Sequence, residues 1–157
     1  MVWLQDALDR AFGRGATTVI CPITDQFVAR HGSLGSFVRV YCTDAVAPAA
    51  VMRLAAGLAG IEAVYDKETA ARLFELPIDR EGDVVVISDG ETCIGTTPAA
   101  HDLSALGDHP LRTHGGLAES YVPFILNRPL NEAYAKRATA GTLRNFHIFD
   151  FAINGVM

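Results

Sequence analysis

Between residues 14 and 97 the apolar residues switch repeatedly between extended and helical spacing, and this alternation limits the possible folds more than any other feature. Thr17 to Ile23 is β-branched and apolar, and Pro22 at its end removes a backbone donor, which points to an edge position or a strand end. Ser36 to Cys42 reads as a second strand. Pro48 can open a helix at its first turn, with Val51, Leu54, Ala55 and Leu58 on one side and Gly60 closing it. Ile61 to Tyr65 is a short strand. Asp66 can cap a further helix, whose stripe is Ala70, Leu73 and Phe74 and which Pro77 ends. Asp83 to Ser88 is an apolar run, and Glu91 to Thr96 is extended too. The Asp89-Gly90 pair between them is the strongest short signal for a hairpin. The order β, β, α, β, α, β, β, with two helices able to cover one sheet face, predicts a two-layer α+β sandwich.

The flanks carry less. Trp3, Leu4, Ala7, Leu8, Ala11 and Phe12 recur at helical spacing until Gly13, which predicts an amphipathic helix over 2–12. Residues 98–122 show little periodicity. Pro123 to Leu126 reads as a short buried strand. Residues 142–153 read as a helix capped by Thr142, with Leu143, Phe146, Phe149 and Ile153 buried and Gly155 at its end. These flanks do not make a second complete core, and they look like pieces of a larger body that the middle domain interrupts.

Composition excludes several functions. Half of the 157 residues are hydrophobic and a fifth are charged, enough apolar material for a packed core. The net charge is −5, the pI is near 5.4, and no run of lysine or arginine could neutralise a line of phosphates, so no nucleic-acid partner is expected. No apolar stretch approaches the length of a membrane span, and the start lacks a basic segment followed by an apolar one, so neither membrane nor signal peptide is expected. Cys21, Cys42 and Cys93 are widely spaced and odd in number, which fits a reducing, cytoplasmic setting and buried small hydrophobes.

Several polar groups are candidates for chemistry. Ser88-Asp89-Gly90 resembles the Ser-Asp-His-Gly turn of metal-dependent phosphatases, with glycine where the histidine would stand; a plain turn explains it as well. Asp108-His109 precedes Pro110 without a strand to hold the pair. His31 lies among glycines, where it could touch a ligand or simply be solvated. His101-Asp102 could be a pair that orients a neighbouring ligand or a helix cap beside Ser104. His114, in RTHGG, differs in context, because glycines let a backbone approach a metal closely. Zinc, however, needs three or four converging ligands at about 2 Å, and Asp102, Asp108, His109 and Glu119 stand at no local metal spacing.

The stretch HDLSALGDHPLRTHGGLAESYVPFILNRPL, preceded by VICPITDQFVARHGSLGSFVRVY and VVVISDGETCIGTT and followed by LRNFHIFDFAINGVM, resembles the C-terminal portion of phosphonoacetate hydrolases of the alkaline phosphatase superfamily. That resemblance implies cleavage of the carbon–phosphorus bond of a small phosphonate substrate, phosphonoacetate, to acetate and phosphate, with two zinc ions as cofactors and a threonine nucleophile. It implies that His114 is a zinc ligand. It places the other ligands, the nucleophile and the lysines that grip the substrate carboxylate upstream of Met1. It maps a small α+β cap domain onto residues 14–105, and makes 1–13 and 106–157 pieces of an incomplete alkaline-phosphatase-like α/β core. The expectation is a truncated member, inactive alone, whose apolar flanks pair with a missing N-terminal half or with a second copy. Two alternatives are a non-enzymatic interaction module using the apolar faces of helix 2–12 and the tail, and a small-molecule-binding domain around His31.

Overall fold

The computed structural model describes residues 1–22, 34–101, 103, 104, 107, 108, 111 and 113–157. It divides into two compact units, residues 1–119 and 120–157. The first unit is mixed α/β. Its elements are β1 (Val2–Trp3), α1 (Leu4–Phe12), β2 (Thr17–Ile20), β3 (Phe37–Cys42), α2 (Pro48–Ala56), β4 (Ile61–Asp66), α3 (Lys67–Phe74), β5 (Val84–Ser88) and β6 (Ile94–Gly95). Four strands form one antiparallel sheet in the order β2-β3-β5-β4. β5 therefore inserts between β3 and β4, which α2 connects.

The apolar run of β5 is buried at all five positions, because both faces of the sheet are covered. Val84 and Val86 join Val38 and Val40 on one face, against Leu4 and Leu8 of α1 and Val51 and Ala55 of α2. Val85 and Ile87 face the other way, against Ala70 and Phe74 of α3, Phe37 and Tyr65. The expected two-layer sandwich is corrected here. The helices divide between the faces because the strand alternates two apolar sides, and a single layer of helices would leave one of them in water. The apolar face of α1 is used within this unit.

Local chemistry sets the boundaries. Pro48 opens α2 as expected, and the Asp66 side chain caps α3 by accepting the Thr69 N–H at 2.7 Å. Within α3, Ala71 is buried and Leu73 is half in solvent, so the apolar stripe lies to one side of the one predicted. β2 is an edge strand, as Pro22 suggested. Its open edge is occupied by the Gln5 side chain, whose Oε1 accepts the Val19 N–H at 2.7 Å and whose Nε2 donates to the Thr17 carbonyl at 3.1 Å. One amide thus satisfies the edge as a neighbouring strand would.

The predicted hairpin at Asp89-Gly90 does not form. β5 already has strands on both sides, so a returning strand has no edge to pair with. β6 instead pairs in parallel with β1, Val2 opposite Ile94 and Trp3 opposite Gly95, and Ile94 bridges Gly35. Gly95 permits this contact, since a Cβ there would lie 2.5 Å from the Trp3 ring.

The second unit contains α4 (Glu132–Ala140), α5 (His147–Asp150) and a wide π turn over Phe151–Gly155. The Asn131 side chain caps α4 by accepting the Tyr134 N–H at 3.1 Å, and Leu130 bridges Val156. Phe151 is fully buried and meets the rings of Phe124 and Tyr134 edge-on, at 5.3 and 5.0 Å. Two expectations are corrected. Residues 123–126 form no strand, and Ile125 is 76% exposed. The apolar stripe of the last helix is also displaced: Phe146, Phe149 and Ile153 are exposed and Phe151 is buried, since the helix begins only at His147 and widens into the π turn from Phe151, so one 3.6-residue period does not run through 142–153.

Candidate functional site

His114 lies in a segment without regular structure, and that segment is fastened to the body of the first unit by the His114 backbone and the Thr113 side chain. The Ser36 N–H donates to the His114 carbonyl at 3.1 Å, and the Ser88 N–H, at the end of β5, donates to the Ser36 carbonyl at 2.9 Å. The Thr113 hydroxyl donates to the Leu34 carbonyl at 2.8 Å. The sheet end, residues 34–36 and the histidine loop thus form three tiers joined by hydrogen bonds. The His114 side chain is exposed above them.

The two glycines after His114 each have a steric reason. Gly115 has φ +96°, in the left-handed region. Gly116 passes so close to Ser36 that a Cβ would lie 3.0 Å from the Ser36 Cβ and 3.3 Å from Glu119 Oε2. That carboxylate oxygen accepts the Gly116 N–H at 2.7 Å and closes a turn over residues 116–119. Glu119 therefore serves the loop's own backbone. Beside it, a cleft of about 300 Å³ opens, and Ser36, Glu91, Thr92, Leu111, Thr113 and Glu119 are among the described residues that line it.

The other candidates fall apart in space or into structural roles. Ser88 is buried, and its hydroxyl donates to the Thr92 carbonyl. Asp89 Oδ1 accepts the Glu91 N–H at 3.0 Å, as a turn residue does. His101 is buried, stacks on Trp3 at 5.7 Å, and accepts the Thr96 N–H on Nε2 at 3.0 Å. Asp108 is exposed. His31, Asp102 and His109 lie outside the described residues. Cys21 and Cys93 are buried and Cys42 partly so, with no disulfide among them. Burial pushes the Cys21 thiol up to about 11 and raises the other two, with the Asp83 charge adding to the effect at Cys42. Thiols held protonated in this way are poor nucleophiles and poor metal ligands at neutral pH.

A zinc site asks for at least three converging nitrogen, sulfur or oxygen ligands. Among the described residues, no three His, Cys, Asp or Glu side chains come together in that way. They therefore do not by themselves fit a complete zinc site; His114 offers a single imidazole on a braced loop. Ser36 and Thr113, which brace it, carried no signal in the sequence beyond being small and polar.

No family profile matches the chain. A solved phosphonoacetate hydrolase from Sinorhizobium meliloti 1021, in complex with phosphonoformate, is 42% identical with a TM-score of 0.77, covering 96% of this chain and 35% of that one. The same enzyme in complex with phosphonoacetate gives a TM-score of 0.76 at the same identity and coverage. A curated phosphonoacetate hydrolase from Penicillium oxalicum is 68% identical over 28 residues, which is 18% of this chain and 39% of that protein. The chain thus spans about a third of the length of the solved relative. By sequence and by fold the chain is similar to a C-terminal portion of phosphonoacetate hydrolases.

Proposed function

We propose that this chain is a portion of a zinc-dependent phosphonoacetate hydrolase, comprising its cap domain and part of its core, and that His114 is the one zinc ligand the portion carries. The observation that carries the reading is the 42% identity over 96% of the chain to a hydrolase solved with phosphonoacetate. The braced loop adds support. A metal ligand must keep one geometry, and the loop is held by three hydrogen bonds at 2.7 to 3.1 Å, through the Thr113 hydroxyl, the His114 carbonyl and the Gly116 N–H.

In this reading residues 14–105 are the cap, and residues 1–13 and 106–157 belong to the alkaline-phosphatase-like core. The remaining zinc ligands and the threonine nucleophile are supplied by groups other than the described residues. Three cysteines without a disulfide accord with a cytoplasmic setting. Among the described residues, no helix is long and apolar enough to cross a membrane. Pairing with the rest of a hydrolase body, or with a second copy, would cover Tyr121, Phe149 and Ile153, which are more than two-thirds exposed.

The reading predicts that the 157-residue polypeptide, supplied with zinc, releases no phosphate from phosphonoacetate above the rate of a zinc-containing blank. A single imidazole fixes no coordination geometry, and the described residues assemble no nucleophile beside it. Phosphate release that disappears in His114→Ala would overturn the inactivity and show the site to be complete. Equal release by parent and variant would remove His114 from the chemistry.

A further inference from the structure

The cleft beside the histidine loop has a property that the loop's own bracing does not use. Ser36 is only 4% exposed and lines the cleft, yet among the described residues its hydroxyl has no hydrogen-bond partner. Its backbone is fully engaged, with the N–H on the His114 carbonyl and the carbonyl on the Ser88 N–H, so the residue is fixed while its hydroxyl is unused. A buried hydroxyl without a partner is uncommon, and it calls for a group that reaches it.

The surroundings indicate the chemistry of that group. Ser36 Oγ and Glu119 Oε2 lie 3.5 and 3.3 Å from the point that a Cβ on Gly116 would occupy, so a hydroxyl and a carboxylate oxygen flank the Gly116 backbone from nearby positions. Oε2 is bonded to the Gly116 N–H, and Oε1 has no described bond. Thr113 has given its proton to the Leu34 carbonyl, so toward the cleft its oxygen can only accept. Glu91 is exposed at the same cleft. Among the described lining residues no cation balances the two carboxylates. Among the described lining residues, acceptors and negative charge accompany the unused hydroxyl, a setting that favours a cationic donor over an anion. A metal ion is the poorer match, since no three metal-ligating side chains converge among the described residues.

We propose that this cleft is a binding site for the primary ammonium group of a small molecule, with Glu119 as its counter-charge and Ser36 Oγ and Thr113 Oγ1 as acceptors. The inference does not depend on His114 binding zinc or on phosphonate hydrolysis. The test is an NMR titration of the full chain with ethylammonium chloride, with ethylene glycol and sodium acetate as comparisons at matched ionic strength.

The amide signals of Ser36, Thr113 and Glu119 should shift saturably with ethylammonium and stay still with acetate. Glu119→Gln should weaken binding about tenfold. Ser36→Ala removes a hydroxyl that makes no described bond, so the chain should fold as before; it should weaken binding a few-fold. No saturable shift in the parent would overturn the site. Ethylene glycol binding as well as ethylammonium would overturn the assignment of charge. Unchanged affinity in Ser36→Ala would overturn the assignment of the Ser36 hydroxyl to the site.

Discussion

Replacing Arg39 by methionine should destabilise the first unit by about 3–5 kcal/mol, because it strands a buried carboxylate. Glu81 precedes β5 and its side chain has no solvent exposure, while the Arg39 side chain is 22% exposed. The guanidinium donates from Nε to Glu81 Oε1 and from Nη2 to Oε2, the latter at 3.4 Å. It also lies over the Phe37 ring at 5.5 Å. Methionine preserves the apolar stem and its packing but supplies no donor. Glu81 would then keep only the Gly82 N–H, at 2.9 Å from Oε1. For a chain of 157 residues, with about 2–4 °C per kcal/mol, the melting temperature should fall by about 6–20 °C. Trp3 is the only tryptophan and lies in this unit, so its fluorescence during urea unfolding at pH 7 reads the loss directly. The pair's value is asymmetric. The double variant Arg39→Met, Glu81→Leu has no stranded charge and should lie well above the single variant in stability, near the parent. An Arg39→Met protein within about 1 kcal/mol of the parent would refute the reasoning, since it would mean that the carboxylate finds water or another donor.

Gly116→Ala should loosen the histidine loop, because its Cβ would press on the Ser36 Cβ at 3.0 Å and on the Glu119 carboxylate. About 1–3 kcal/mol of strain is expected, read as faster amide exchange over residues 114–119 with β5 unchanged; identical exchange would contradict it. In the second unit, hydrogen bonds from Asn154, Arg137 and Tyr134 hold the Asp150 carboxyl down at about 2. The folded value lies below the ordinary value of about 3.9, so the charged carboxylate stabilises the unit above that ordinary value. The contribution is lost as the pH falls through the window down to about 2. Ring signals of Tyr134 and Phe151 should report that loss, and Asp150→Asn should remove the pH dependence; the same profile in parent and variant would exclude the mechanism.

Most elements of the first unit were legible because each carries its own punctuation. Pro48 opens α2, Asp66 caps α3, and the β-branched runs mark β2, β3 and β5 within a few residues. What escaped was non-local. Asp89-Gly90 has the composition of a hairpin turn, but pairing depends on whether β5 has a free edge, and β3 and β4 occupy both. The division of helices between two faces follows from the same central placement. In the second unit α4 was missed because alanines and charged residues leave it without a strong apolar stripe; the Asn131 cap and the Glu132–Lys136 pair, one turn apart, were its only signals. The candidate site was legible as a single residue. The HGG spacing shows a backbone that must turn tightly after His114, and the structure supplies the reasons at Gly115 and Gly116. Its braces come from residues 34–36, far away in the chain and brought near by the sheet, and no local pattern announces them.

The claim that His114 is a lone ligand on a braced loop is tested most directly by calorimetric titration of zinc into the purified chain and into His114→Ala. The account predicts weak binding in the parent, without a defined stoichiometry, and weaker still in the variant, because one imidazole cannot close a coordination shell. Tight binding of one or two zinc ions per chain, abolished by His114→Ala, would contradict it and show that the remaining ligands lie within this chain or a second copy of it.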